Sequence, residues 1–404
     1  MPKLSIRDLD LAHKRVLIRV DFNVPLSDDG QEITDDTRIR ETIPTIEYAL
    51  RRKAKVILCS HLGRPKGKPN AKMSLRPIVD RLRDLLDHIL GEEENVAFSP
   101  DCIGEVAEEM SLNLESGQTL LLENLRFHAE EEANDPAFAK KLAALCDIYI
   151  NDAFGSAHRA HASTEGITHF VAPSAAGLLM EKELTYMGKA LIEPDKPFVA
   201  IIGGAKVSDK IKVIDNLLDK VDAIIIGGGM SYTFLKAKGQ NVGKSLVELD
   251  KLDVAQAALD KAAAKGVRFL LPIDHKLADK FAANAATQTV SGDAAFPAEW
   301  MALDIGPESI ALFEKEIADA RTVVWNGPMG VFEMPAFALG TMSIAQAVAD
   351  NEDCTSIVGG GDSVAAVAQS GVAKRITHIS TGGGASLEFL EGKKLPGVEA
   401  LTEK

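Results

Sequence analysis

"CTSIVGGGDSVAAVAQSG", residues 354–371, reads as a short apolar strand, a turn of three glycines, and a helix rich in alanine and valine, with Asp362 and Ser363 placed to cap it. A glycine-rich turn between a buried strand and a helix lets backbone N–H groups come close to a phosphate, and the helix start adds partial positive charge. One such turn is equally well explained by tight packing. The motif recurs, however, through the C-terminal half: "FVAIIGGAK" (198–206), "AIIIGGGMS" (223–231), "TVVWNGPMG" (322–330) and "THISTGGGAS" (377–386), with "VRFLLPIDH" (267–275) the exception.

The N-terminal half repeats the apolar run but ends it in polar and cationic residues. "RVLIRVDFNVP" (15–25) leads into Asp21 and Asn23, "AKVILCSHLGRP" (54–65) into His61 and Arg64, "QTLLLENLRFH" (118–128) into Arg126 and His128, and "CDIYINDAFGSAHRAH" (146–161) into Arg159. Helical spacing lies between them, as in Leu75, Ile78, Val79, Leu82, Leu85, Leu86 and Ile89 of "SLRPIVDRLRDLLDHIL" (74–90). Strand alternating with helix predicts an α/β fold with parallel sheets covered by helices on both faces. A chain of 404 residues exceeds what one hydrophobic core usually serves. The expectation is therefore two Rossmann-like lobes, each a parallel β-sheet flanked by helices, joined by a helix and hinge.

The joining helix falls in "SAAGLLMEKELTYMGKALIE" (174–193), where Leu178, Leu179, Leu184, Met187 and Leu191 share helical spacing before the two prolines of "EPDKP" stop it. The expected domains are residues 1–185 and 186–389. A tail of about 390–404 can pack on either lobe, with the first lobe the assigned place.

With 59 acidic against 45 basic residues the net charge is -14, which argues against a nucleic-acid or anionic-membrane surface. Any basic site must be local. The N-terminal stretch lacks the apolar run of a signal peptide and no segment approaches a membrane span, so a cytoplasmic protein is expected. Cys59, Cys102, Cys146 and Cys354 are dispersed without a C-x-x-C pair, as reduced thiols would be, and Cys59 fits a core position. "GQNVGKS" (239–245) has the wrong spacing and context for a P-loop, and no dinucleotide fingerprint opens a helix. His158 and His161 form H-x-x-H without the helix and glutamate that zinc hydrolysis needs.

In open α/β sheets ligands sit beyond the carboxyl ends of strands. There the N-terminal half places Arg19, Arg38, Arg64, Arg126 and Arg159 with His61 and His158, a set suited to a small, multiply charged anion because a guanidinium pairs with carboxylate and phosphate oxygens. The C-terminal half offers glycine backbone, with Lys206 and Lys210 expected on one helix face at (i, i+4) for phosphate contact.

"RVDFNVP" (19–25), "ITDDTRI" (33–39), "SHLGRP" (60–65), "LLLENLRFH" (120–128), "NDAFGSAHRAHAS" (151–163), "GGAKVSDKI" (203–211), "WNGPMGVFE" (325–333) and "GGGDS" (359–363) together resemble the phosphoglycerate kinase family, in family order over nearly the whole chain. The resemblance implies reversible phosphoryl transfer between 1,3-bisphosphoglycerate and ADP, giving 3-phosphoglycerate and ATP, by a cytoplasmic monomer that uses Mg2+. It implies 3-phosphoglycerate binding by Asp21, Phe22, Asn23, Arg38, His61, Leu62, Gly63, Arg64, Arg126 and Arg159 in the N-terminal lobe. It implies nucleotide binding by Gly204, Ala205, Lys210, Asn326, Glu333, Gly360, Gly361, Asp362 and Ser363, with Asp362 near the metal and Glu333 on the ribose. Catalysis falls to Arg38 and Lys206, with backbone of Gly382, Gly383 and Gly384 on the transferring group. Family members often carry threonine where this chain has Ser363, and the hydroxyl is retained. Substrates on separate lobes imply closure before chemistry. A non-catalytic anion-binding or scaffolding protein of the same fold is the alternative.

Overall fold

The structure, a computed structural model, describes residues 3–91, 96–292 and 294–404. Its chain divides into two units, residues 1–185 with 394–404 and residues 186–393. The helix Leu178–Ile192 runs through the point of division.

In the first unit six strands, β1 (Arg15–Arg19), β2 (Lys55–Cys59), β3 (Val96–Ser99), β4 (Thr119–Leu122), β5 (Ile148–Asn151) and β6 (Ser174–Ala176), form one sheet in the order β3-β4-β2-β1-β5-β6. Every pairing is parallel. Strands buried on both faces need apolar side chains throughout, which is why β4 reads TLLL and β5 IYIN with every residue buried. Helix Ile78–Leu90 turns Ile78, Val79, Leu82, Leu85 and Leu86 inward as its spacing predicts, whereas Leu75 is buried ahead of the helix and Ile89 is partly exposed. Starting from β1 the chain builds outward through β2 and later returns to β1's other side with β5. That reversal leaves a crevice at the carboxyl ends of β1, β2 and β5. The terminal residues fasten to this unit: the Leu4 N–H donates to the Thr402 carbonyl at 2.8 Å, and the Gly397 N–H donates to the Ala157 carbonyl at 2.9 Å.

The second unit repeats the design. Strands β7 (Phe198–Ile202), β8 (Ala223–Ile226), β9 (Arg268–Leu270), β13 (Thr322–Asn326), β14 (Thr355–Gly359) and β15 (His378–Ile379) form a parallel sheet in the order β15-β14-β13-β7-β8-β9. Its reversal lies between β7 and β13, so the turns after those two strands are neighbours. Trp325, Phe313 and Ile344 are among the side chains filling the core on one side of this sheet.

Two departures from the sequence expectation have physical causes. Residues 267–275 do not make one strand: they split into β9 and the start of β10 (Asp274–Ala278), which joins β11 (Thr287–Ser291) and β12 (Met301–Ile305) in a small antiparallel sheet. β11 is TQTVS, half-exposed and polar, so no buried apolar run marks it. Helix Gly361–Gln369 begins at Gly361, inside which Asp362 and Ser363 already lie; its N-cap is Gly360 and no side chain caps it. The backbone, with Gly360 at φ +90°, makes the turn without a polar cap.

Candidate active site

The loops at the carboxyl edge of the first sheet are tied to one another by side chains. The Phe22 N–H donates to Ser60 Oγ at 2.8 Å, the Gly63 N–H to Asn23 Oδ1 at 2.8 Å, and the Leu62 N–H to Asn124 Oδ1 at 3.2 Å. Arg126, buried at 6% exposure, donates from Nη1 to the Gly63 carbonyl at 2.9 Å. Arg38, the second residue of helix Thr37–Leu50, donates from Nη1 to Asp21 Oδ2 at 2.5 Å. Thus the structure gathers Asp21, Asn23, Arg38, Gly63 and Arg126 into one bonded set, while the ring of His61 bonds to Arg19 beneath it. Arg64 and Arg159 stand exposed on the same loops after β2 and β5. Phe22 and Leu62 are core residues, 0% and 4% exposed, and their N–H groups are already given to Ser60 and Asn124, so they shape the edge from beneath and do not meet a ligand as the resemblance implies.

Arg19 differs from the other arginines. It is fully buried, donating to Ser163 Oγ at 2.9 Å and to the Val20 carbonyl, with His61 Nδ1 at 3.1 Å. It lies beneath the edge as a buried counter-charge, not on the ligand-facing surface. Burial works against the charge of Asp21, yet its carboxyl is held below its ordinary range by neighbouring positive charge, of which the guanidiniums of Arg38 and Arg19 are the permanent part. Burial pushes His61 well below the ordinary histidine value, and burial with the charges of Arg126, Arg19 and Arg159 pushes His161 down to about 4. The concentration of cations that residues 158–161 suggest is therefore corrected: Arg159 carries a fixed charge there, whereas His161 is neutral at pH 7.

The residues missed by sequence reasoning lie under this edge. Glu131, in a run of three glutamates that looks like a solvated face, is 0% exposed and accepts from Ser163. Asn124 clamps three loops, accepting from Leu62 and Arg126 and donating to the Leu62 and Met73 carbonyls. The asparagine after a buried run was the available signal, since Asn124 caps the turn Leu125–Phe127.

In the second unit the glycine turns sort into two kinds. A Cβ on Gly203 would meet the Pro328 carbonyl oxygen at 2.1 Å, and one on Gly327 would meet the Gly203 oxygen at 2.2 Å, so these glycines exist for backbone packing. Gly204 at φ +112° and Gly383 at φ +52° have nothing within 4 Å of a built Cβ, and Gly361 is equally open. Their backbone can be approached from outside, as anion binding needs. Ala205, Gly361, Asp362, Gly383 and Gly384 are exposed, and Gly204 and Gly360 half-buried.

Lys206 and Lys210 do not share a helix face. Lys206 precedes the single turn Val207–Asp209 and Lys210 follows it, because the chain makes that short turn before helix Ile211–Leu217 begins. Lys206 is exposed, while Lys210 is half-buried and donates to Asn326 Oδ1 at the end of β13. Burial lowers Lys210, with Asp209, Asp362 and Glu391 opposing. Ser363 is fully buried and its Oγ accepts from the Gly327 N–H at 2.6 Å, binding one glycine turn to the next. Glu333 is exposed, and Gly382 is buried, donating to Ser380 Oγ at 3.2 Å.

A family model described as phosphoglycerate kinase matches residues 6–393. The chain belongs to the phosphoglycerate kinase family. A phosphoglycerate kinase of Acidobacterium capsulatum is 81% identical and one of Koribacter versatilis 70% identical, each over 404 residues and the whole of both chains. Among solved structures, phosphoglycerate kinase from Coxiella burnetii aligns at a TM-score of 0.90 with 43% identity, covering 99% of this chain and 98% of that one. All four cysteines are free and buried, in keeping with the core role expected for Cys59. No helix among the described residues is long and apolar enough to cross a membrane.

Proposed function

We infer that the chain catalyses reversible phosphoryl transfer between 1,3-bisphosphoglycerate and ADP, giving 3-phosphoglycerate and ATP, with the small acid on the first unit and the nucleotide on the second. The observation that carries this is the presence, in one chain of this family, of a strand edge lined with guanidinium groups and another lined with open glycine backbone. A non-catalytic binding protein of the same fold has no observation in its favour.

In the ATP-consuming direction the nucleophile is the substrate carboxylate, ionised at pH 7, and no general base is needed. That agrees with a first unit whose His61 and His161 are held neutral, His61 sharing a hydrogen bond with Arg19. Charge on the migrating phosphoryl must be met by fixed cations and donors, because transfer of this kind is mainly positioning and electrostatics. Arg38 and Lys206 take that role, with the exposed backbone at Gly383 and Gly384; the N–H of the buried Gly382 is already given to Ser380. Lys210, Asn326 and the turn at Gly360, Gly361 and Asp362 hold the nucleotide, the buried Ser363 ties that turn to Gly327 from behind, Gly204 and Ala205 flank the nucleotide, and Glu333 takes the ribose. Asp362 is an exposed carboxylate at a helix start, which fits a hard cation held by one carboxylate and the nucleotide phosphates. Mg2+ held there would neutralise phosphate charge.

Transfer in one step requires the two ligands to meet, so closure is part of the function, and solution scattering should show compaction only with both substrates bound. The chain acts as a cytoplasmic monomer. The deciding experiment is Mg2+-dependent ADP formation from ATP that requires 3-phosphoglycerate. ATP turnover indifferent to that acid would overturn the assignment.

A further inference from the structure

Under the anion edge of the first unit runs a line of buried polar side chains that the transfer step does not touch. Glu131 accepts the Ser163 backbone N–H at 2.9 Å and the Ser163 hydroxyl at 2.6 Å. Ser163 Oγ in turn accepts from Arg19 Nε at 2.9 Å, and Arg19 Nη2 lies 3.1 Å from His61 Nδ1. Glu131, Ser163 and Arg19 are all 0% exposed and His61 is 5% exposed.

A guanidinium has donors and no acceptor. The Arg19–His61 contact is a hydrogen bond only if Nδ1 carries the lone pair, which leaves the single proton of a neutral ring on Nε2. The other neutral tautomer would aim an N–H at a guanidinium N–H and leave the lone pair on Nε2. An imidazolium would do the first of these and add a second cation beside Arg19. The charged groups facing His61 are Asp21, Arg19, Arg126 and Arg38, from the loops after β1 and β4, from β1 itself and from helix Thr37–Leu50. Arg19 can hold the ring this way only while its own direction is set: the Val20 carbonyl takes Nη1, and Ser163, itself held by Glu131, takes Nε from behind.

We propose that Glu131 and Ser163 are positioning residues which, acting through Arg19, lock His61 as the Nε2–H tautomer, so that it offers the anionic substrate a neutral donor. The proposal rests on the assignment of His61 to the 3-phosphoglycerate site. Its effect is on substrate binding: a lone pair in place of the N–H would face an anion oxygen.

Long-range nitrogen–proton correlation of the imidazole rings in the whole protein is the test, with His61 assigned by its loss in His61→Gln. In the native chain Nδ1 should appear unprotonated and Nε2 protonated around neutral pH. Ser163→Ala removes the acceptor of Arg19 Nε, and should give mixed tautomers with the KM for 3-phosphoglycerate raised about tenfold, equivalent to ~1.4 kcal/mol, while the KM for ATP stays put. Glu131→Gln, which keeps size and removes charge, should move the same resonances and serves if the alanine variant does not fold. A protonated Nδ1 in the native chain, or an unshifted tautomer in the folded variants, overturns the proposal. A tautomer that shifts while 3-phosphoglycerate affinity does not change would leave the network standing and remove His61 from the substrate site.

Discussion

Gly361 and Gly327 sit in neighbouring turns, yet adding one methyl to each should have opposite consequences for stability. At Gly327 the new carbon would fall 2.2 Å from the Gly203 carbonyl oxygen and 2.4 Å from its carbon, with φ at +104°. Two backbones would have to separate, and Gly327→Ala is expected to lose several kcal/mol, in the range of severe steric and backbone lesions, about 3 kcal/mol or more. At Gly361, the first residue of helix Gly361–Gln369, nothing lies within 4 Å and φ is not left-handed. Gly361→Ala there reduces the freedom of the unfolded chain and should stabilise by about 0.4–1 kcal/mol, a rise in Tm of about 1–4 °C for a unit of roughly two hundred residues.

The open space in front of Gly361 is the approach expected for a nucleotide phosphate. Filling it should remove close backbone contact, and the loss of one hydrogen bond to a charged group, about 1.5–3 kcal/mol, corresponds to ADP binding about 10- to 100-fold weaker. Differential scanning calorimetry and titration calorimetry with ADP on the same two variants measure both effects. A Gly361→Ala protein that melts higher and binds ADP normally would show that this turn does not face the nucleotide, and the assignment of the 360–363 loop would fail.

Arg38→Ala should lower kcat by about three orders of magnitude, the scale of an arginine that meets transferring charge, with ADP affinity nearly unchanged; equal loss of ADP binding in calorimetry would contradict its role. Asp304 is buried, accepts from the Gly340 and Ile305 N–H groups, and is pushed up to about 7 by burial. With its folded value raised, the folded chain binds the extra proton, so its contribution is complete below about pH 4 and is lost as pH rises to about 7, a slope of about 1.4 kcal/mol per pH unit. The melting temperature of the native protein relative to Asp304→Asn should therefore fall over that window, a comparison in which the buried histidines, which pull the opposite way, cancel; a constant difference refutes it. All four thiols are buried, and burial pushes Cys146 up to about 12 and Cys354 to about 11. A water-soluble disulfide reagent should find no reactive thiol until the chain is denatured, and rapid labelling of the native protein would show a thiol exposed by opening.

The parallel sheets were legible because strands covered on both faces leave no choice of side chain, as in Phe198–Ile202 and Ala223–Ile226, where every residue is buried. The three antiparallel strands were not, since Thr287–Ser291 shows one partly covered face and polar residues on both. The site was legible as to which residues stand at strand ends, because topology alone brings those ends together. It was illegible as to which of them carry charge. Nothing in "HAEEE" says that Glu131 is the glutamate turned inward, and nothing in "SHLGRP" says that the ring of His61 is buried against a guanidinium. Cap positions failed for a related reason: Ser363 has the hydroxyl a cap needs, but the Gly327 N–H claims it.

A chain of net charge -14 that binds a multiply charged acid must separate its far field from its near field. At physiological salt the screening length is about 8 Å, so acidic residues elsewhere on the surface barely register at a pocket lined by its own cations. What counts is the charge within a few ångströms, and in the site proposed on the first unit the guanidiniums of Arg38, Arg64, Arg126 and Arg159 are permanent charges, which imidazoles could not be. Leaving His61 and His161 neutral has a further consequence. Several cations converging on an empty pocket repel one another, and each added imidazolium would raise that cost before the substrate arrives. Asp21, paired with Arg38 at 2.5 Å, lowers it instead and keeps the arginine oriented. The mixture of fixed cations, one paired carboxylate and neutral donors is thus a compromise between attraction for the ligand and stability of the unliganded edge.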